Sequence, residues 1–377
     1  MISDIDNLSV PMKTKTKFSP PAQCQIVASL PKLFRYQARG LLQGGALHGL
    51  LSHLEIASIP NSSLIDYIAR LLFFVQWCQV NRADWCDEQS LDLAVVVCFD
   101  ELFWRNAPVS DGLKMVAALK FLLASATTSG SLHLPRAARV LKAWAVKRPA
   151  SQRTPLPWLC LTAMLGYLCF NKDIIVAINL LVQFVTYLRP GVCDALLVKQ
   201  VVAPAKLAGP GYHLWAFHLY PTELLMPGKT GGFDESVVID QHLWLDPFLQ
   251  MLTANRKGDE RLWHVSPKDI MNSFKAAVLA LGLDSLHPCR YSLRHGGASH
   301  DLLKRQRTLF EVKHRGHWRS DSSLLRYGKP ARAQRVLNSV CPKVVAYGRH
   351  VADHLPEVFH RQVIVPPPVI IARESTQ

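Results

Sequence analysis

The chain has 377 residues, 49% of them hydrophobic and 19% charged, and it carries a net charge of +15. That length accommodates two domains, each with its own core, and the composition is that of a folded protein, which argues against a disordered tail or linker protein. Nine cysteines, none in a Cys-x-x-Cys pair, argue against a disulfide scaffold and read as reduced, buried thiols of an intracellular protein. The longest apolar runs, 156–170 and 174–188, fall short of the ~18 residues of a spanning helix. Asn179 and Gln183 interrupt the second run, and the N-terminus lacks a basic-then-apolar leader. No membrane partner is expected.

In chain order, residues 1–40 are polar and basic, with Lys13, Lys15 and Lys17 alternating with Thr before Ser19-Pro20-Pro21, and read as a flexible arm. Residues 41–147 follow the helical period. Leu64, Ile65, Ile68, Leu71, Leu72 and Val75 fall on one face, and further helices are expected at 92–103, 111–124 and 136–146. Ser62 or Ser63 would cap the first of these and Ser110 or Asp111 the third. Residues 148–157 are basic and contain Pro149, Pro155 and Pro157, so they read as an extended linker.

The second domain, 158–350, opens with apolar helices at 158–170 and 173–187, ended by Arg189-Pro190-Gly191. Short segments rich in Leu, Val and aromatics follow at 195–202, 212–219, 223–226 and 236–239. Pro227-Gly228-Lys229-Thr230-Gly231-Gly232 separates the last two and reads as a hairpin turn. Helices resume at 241–253 and 267–281, and residues 351–377 read as a tail, extended and Pro-rich from Pro356. The expected fold is mainly α: an N-terminal helical bundle plus a C-terminal mixed helical domain with a small antiparallel β-sheet.

Charge concentrates between 287 and 350, where fourteen Lys and Arg face Asp301, Glu311 and Asp321, a net of +11. A field this dense favours a polyanion, with nucleic acid the expected partner. Within it lie Tyr291, Arg294, His317, Trp318 and Tyr327. A phenol among guanidinium groups and an imidazole has the parts needed to attack a phosphodiester. The phenol, with an ordinary pKa near ~10, needs help to ionise. Arg forks bind phosphoryl oxygens in pairs and stabilise the charge that gathers there. Such a site needs no metal or other cofactor. His314 with His317 and His350 with His354 have metal-ligand spacing, but no cysteine or acidic cluster joins them.

Tyr291-Ser292-Leu293-Arg294-His295, then Gly316-His317-Trp318, then Arg326-Tyr327, preceded far upstream by Thr186-Tyr187-Leu188-Arg189-Pro190-Gly191, resembles the signature of the tyrosine recombinases, the phage-integrase family. The resemblance rests on the order and spacing of the set, which spans about half the chain; no single piece of it is specific. It implies a site-specific DNA recombinase or integrase that cuts and rejoins double-stranded DNA through a 3′-phosphotyrosyl intermediate, without metal or ATP. Four protomers would assemble on a synapse of two duplexes. Residues 41–147 would be the core-binding domain, 158–350 the catalytic domain, and the linker would complete a clamp around the duplex. Tyr327 would be the nucleophile and Arg189 and Arg294 the phosphate clamp. Lys229 would protonate the leaving oxygen, with Lys199 as substitute. His317 matches the family's Gly-His pair, while Trp318 stands nine positions before Tyr327; either could hydrogen-bond the scissile phosphate.

Two positions depart from the family pattern. Tyr291 stands where a His is usual, and Val192 stands where an acidic residue often follows the first Arg, with Asp194 shifted by two. The alternative is a DNA-binding protein that keeps the fold without the catalysis. Each residue also has an ordinary reading: a packed core Tyr, a helix-terminal Arg, a solvated Lys in a turn. Tyr347 is a second C-terminal tyrosine, but it lacks an upstream Gly-His.

Overall fold

A computed structural model describes residues 57–123, 132–149, 154–209, 212–222, 234–318 and 330–368, together with 54, 320, 321, 324, 327 and 328. The arm 1–40 lies outside the described residues. The chain forms two compact units, 1–151 and 152–377.

The first unit contains helices α1 (Asn61–Asn81), α2 (Glu88–Trp104), α3 (Val109–Leu123) and α4 (Pro135–Lys147). They share one core that includes Phe74, Val75, Leu91, Val95, Phe99, Met115, Leu119 and Trp144. The ends of α2 and α4 are fixed by a pair of aspartates. Asp87 accepts from the Gln89 and Ser90 amides at 2.8 and 2.9 Å, so it caps α2. Asp92, buried within α2, accepts from the Arg136 and Ala137 amides at 2.8 Å each. It thereby caps α4 from a neighbouring helix and places a negative charge at its positive end. Buried Arg70 links α1 to α3, pairing with Asp66 at 3.0 Å and with Asp111 at 3.4 Å.

Three expectations for this unit are corrected. Ile65 is 67% exposed, because the buried stripe of α1 passes through Leu64, Leu71, Leu72 and Val75. Pro60 occupies the N-cap of α1 and makes no side-chain cap bond, so neither Ser62 nor Ser63 caps it. Helix α3 begins at Val109, which puts Ser110 and Asp111 inside its first turn.

In the second unit α5 (Trp158–Phe170) and α6 (Ile174–Thr186) are mostly apolar because they are mostly buried. Around them lie the short α7 (Pro190–Asp194), α8 (Asp246–Thr253), α9 (Pro267–Ala280), α10 (Arg290–Leu303), α11 (Leu309–Arg315), α12 (Pro330–Ser339), α13 (Pro342–Asp353) and α14 (Leu355–Phe359). Glycines set how closely α10 approaches its neighbours. A Cβ at Gly297 would lie 2.0 Å from the Phe184 carbonyl oxygen, and one at Gly296 would lie 2.3 Å from that of Leu156. The two helix-weakening glycines after Arg294 thus allow backbone to meet backbone, which brings α10 against the C-terminal end of α6.

A three-stranded antiparallel sheet runs in the order β1 (Val201–Val202), β2 (Trp215–Leu219), β3 (Glu235–Ile239). Phe217 pairs with Val237, and Trp215, Phe217 and Leu219 turn one face of β2 into the core. The stretch 195–202 is mostly not strand: a 3-10 turn at Val198–Gln200 leaves only its last two residues in the sheet, while Leu197 bridges to Arg261. The expected strand 223–226, the turn 227–232 and Lys229 lie outside the described residues.

The chain after 350 is also corrected in part. Val351, Leu355, Val358 and Phe359 are buried in the core, and Pro356 lies in the first turn of α14. Beyond that helix, Val363 and Val365 still pack against the core, and the Tyr347 hydroxyl donates to the Val365 carbonyl at 3.1 Å. Among the described residues no helix is long and apolar enough to cross a membrane.

Candidate active site

The site forms where α6 ends, α10 passes and α11 turns back. Tyr187 caps α6 in the left-handed region at φ 55° and is wholly buried. Its hydroxyl donates to Asp301, which also pairs with Arg307 at 2.8 Å. Burial, followed by the Asp301 charge, pushes the Tyr187 phenol well above its ordinary pKa, so this tyrosine is a fixed structural donor. Arg307 reaches on to Asp240 at 2.7 Å, and Arg315 meets the same carboxylate at 3.2 Å. Burial alone would raise the Asp240 carboxyl; Arg315 and then Arg307 bring it below the usual range. Arg315 also donates to the Val185 and Val238 carbonyls at 2.9 Å each, which ties α11 to α6 and β3.

Arg294 sits on this floor and is 5% exposed. Its Nη1 donates to the Tyr187 carbonyl and its Nη2 to the Gly316 carbonyl, and its Cζ lies 4.3 Å over the Trp318 ring. Burial, then the charge of Arg189, lowers its pKa to about 10, while Tyr327, Tyr291 and Tyr220 act in the opposite sense. The group stays cationic at neutral pH. Buried Arg290 and Arg315 and half-buried Arg307 each have a carboxylate partner, whereas Arg294 and Arg189 have none among the described residues. Arg189, half-buried at the start of α7, lies beside the Tyr220 phenol.

His317 follows in the left-handed region at φ 51°. Its Nδ1 is 3.3 Å from Glu235, and its Nε2 is buried with no hydrogen-bond partner among the described residues. Burial first, then Arg294, His314 and Arg189, hold its pKa at about 4, so the ring is neutral near pH 7. A phosphate oxygen at Nε2 would select the tautomer with hydrogen there and raise that pKa. Trp318 instead fills space: its ring centroid is 5.5 Å from that of Tyr327 and 6.1 Å from that of Tyr187. A Cβ at Gly316 would lie 1.9 Å from the Trp318 ring, so this turn requires glycine.

Two i,i+3 hydrogen bonds lead to Tyr327, from the Leu324 amide to the Asp321 carbonyl and from the Tyr327 amide to the Leu324 carbonyl, each at 2.8 Å. The residue is 5% exposed, and its ring packs with Tyr187, Ala298, Val312 and Leu324. It also lines a cavity of about 580 Å³ with Trp158, Ser299, Lys304 and Arg332. Its Oη lies 2.6 Å from His295 Nδ1, and the two rings stack with centroids 5.1 Å apart.

The structure therefore brings Arg189, Arg294, Tyr291, His317, Trp318 and Tyr327 into one neighbourhood. Lys229 and Arg326 lie outside the described residues. Lys199 is on the surface, paired with Asp259 at 2.5 Å. Tyr347 is buried in the core. Val192 packs against the core, and Asp194 serves Arg290 rather than Arg189. His295 and Tyr220 were not expected at the site. His295 was legible as the next residue of the Arg294 box, whereas no sequence signal marked Tyr220, which stands just past β2 at φ 53°. Compared with models of known protein families and with curated proteins, the chain matches none.

Proposed function

We propose that this protein is a tyrosine-type DNA strand transferase, a site-specific recombinase or integrase acting on double-stranded DNA. The observation that carries the reading is Arg294: a buried guanidinium that has no carboxylate partner among the described residues, beside a second guanidinium, a phenol and an imidazole nitrogen that likewise lacks a partner among them. A buried, uncompensated charge is costly, and a bound anion would offset it. A backbone phosphate fits those donors. Tyr327 Oη would attack the phosphorus as the bond to the 5′ oxygen breaks, leaving a 3′-phosphotyrosyl link that keeps the energy of the cut. Arg189 and Arg294 would hold the non-bridging oxygens, with His317 Nε2 as a further donor. Lys229 would supply the proton to the leaving oxygen. A 5′-hydroxyl from a partner strand then reverses the step, so neither ATP nor metal is consumed.

In this reading the N-terminal helices form a DNA-binding bundle, and four protomers act on a synapse of two duplexes. The exposed cations Lys304, Arg305, Arg335, Lys343 and Arg349 would contact phosphates. A second reading, a DNA-binding protein without catalysis, is favoured by Tyr291 at the usual His position and by the covered state of Tyr327. A labelled pool of nicked duplexes of randomised sequence separates the two. The transferase leaves a covalent protein–DNA band on denaturing gels that disappears in Tyr327→Phe. Retarded DNA on native gels with no covalent band overturns the transferase reading.

A further inference from the structure

Attack by a phenol requires something to take its proton, and the residue usual at that place in the box is here Tyr291. His317 makes a poor proton acceptor, because burial and its cationic neighbours Arg294 and Arg189 oppose a second proton on that ring. Another imidazole lies against the nucleophile. His295 follows Arg294 on α10, its Nδ1 is 2.6 Å from Tyr327 Oη, and its ring stacks on the phenol at an interplanar angle of 23°. Ser299, one turn further along the same helix, donates to the Tyr327 carbonyl at 3.1 Å and fixes the backbone of that residue. Helix α10 therefore holds the phenol at both its backbone and its hydroxyl.

We infer that His295 is the proton acceptor for Tyr327, a catalytic residue of the cleavage step; this rests on the transferase reading. The Oη proton passes to Nδ1, giving imidazolium and phenolate. A phenolate lone pair forms the new bond to phosphorus, and the bond to the 5′ oxygen breaks with its electron pair, that oxygen taking a proton from Lys229. In rejoining, the phenolate leaves phosphorus and recovers its proton from His295. The Arg294 charge stabilises the phenolate as it forms, and Lys304 and Arg332 line the cavity on the open side of Tyr327. Arg294 and His295 are thus neighbours in sequence with divided roles, one toward the phosphate and one toward the nucleophile.

The experiment is single-turnover formation of the covalent band on the nicked-duplex pool, measured against pH for the full-length protein. His295→Ala is expected to slow cleavage by about 10²–10⁴-fold, the usual contribution of a positioned proton acceptor. Its rate should then climb with pH toward the phenol's own pKa near ~10, and added imidazole should restore part of it. His295→Asn keeps a polar group of similar size near Nδ1 but cannot take the proton, so it should be as slow as Ala. Wild-type rate and pH profile in His295→Asn, with no effect of imidazole on the Ala variant, would mean that the ring only positions Tyr327 and would overturn the assignment alone. Absence of any covalent band from the wild-type protein overturns the transferase reading and this inference with it.

Discussion

The Asp194 carboxylate pairs with Arg290, its Oδ1 accepting from Nη2 at 3.0 Å. The same guanidinium donates to Gln183 at 2.7 Å and to Asn179 at 2.8 Å, and Gln183 returns a bond to the Arg290 carbonyl at 2.9 Å. The two polar residues that interrupt the apolar run of α6 are therefore seats for a buried cation at the start of α10. The cluster fixes α6, α7 and α10 against one another, and these elements carry Arg189 and Arg294.

Asp194→Asn leaves the Arg290 charge, 2% exposed, without its counter-ion. The expected loss is about 3–5 kcal/mol of stability, as for other buried pairs broken from one side. Urea unfolding should show a lower midpoint with an unchanged slope. An unchanged midpoint would mean that Asn179 and Gln183 alone satisfy Arg290.

Under the transferase reading, Arg294→Ala removes the buried charge that would hold the phosphate. Formation of the covalent band should fall by about 10²–10³-fold, the scale of losing one preorganised donor to a reacting oxyanion. Duplex affinity on native gels should change little, because many exposed cations hold the backbone. Arg294→Lys should not restore cleavage, since an ammonium cannot span the Tyr187 and Gly316 carbonyls and still face a phosphate. A large loss of affinity with normal cleavage at saturating DNA would assign Arg294 to binding alone.

The parts of this structure that were legible in the sequence depend on local pattern. Helix α5 runs from Trp158 to Phe170 as expected, because an apolar run between Pro157 and Asn171 leaves few alternatives. The caps were less legible, since the carboxylate that caps α4 is Asp92, on another helix. Charge counting overstated the basic field between 287 and 350. Arg290 and Arg315 are committed to Asp194 and Asp240, and Arg307 to Asp240 and Asp301; two of these three carboxylates lie outside the counted stretch. The residues that gather around Arg294 were legible as an ordered set of residue types, but the contacts among them were not. Which of His295 and His317 faces the phenol is set by helix packing and a left-handed turn, neither of which spacing alone reveals.

Acid should destabilise the second unit before its carboxylates titrate. His317 and His242 both have pKa values lowered from 6.5 to about 4, in each case by burial first. A depressed histidine pKa means that the unfolded chain binds the proton more readily than the folded one. The associated stability is complete above pH 6.5 and is lost progressively as pH falls toward about 4. Each residue contributes on the order of 3 kcal/mol over that window. The melting temperature should fall between pH 6.5 and 4, and His317→Gln should flatten part of the decline. An equally steep decline in His317→Gln would assign the effect to other groups.

The chain has a second C-terminal phenol, and its surroundings set it apart from Tyr327. Tyr347 lies in the core beside α5: a Cβ at Gly166 would come within 2.7 Å of its hydroxyl, and that hydroxyl donates to Val365. Burial pushes its pKa far above the ordinary value. Among the described residues no guanidinium or imidazole bonds to its oxygen. Tyr347→Phe should therefore cost only about 1 kcal/mol for the lost hydrogen bond, and the covalent band should form at the wild-type rate. Proteolysis of the wild-type adduct followed by mass spectrometry should place the nucleotide on the peptide containing Tyr327. A nucleotide on the Tyr347 peptide would require that core to open around DNA and would displace Tyr327 as nucleophile.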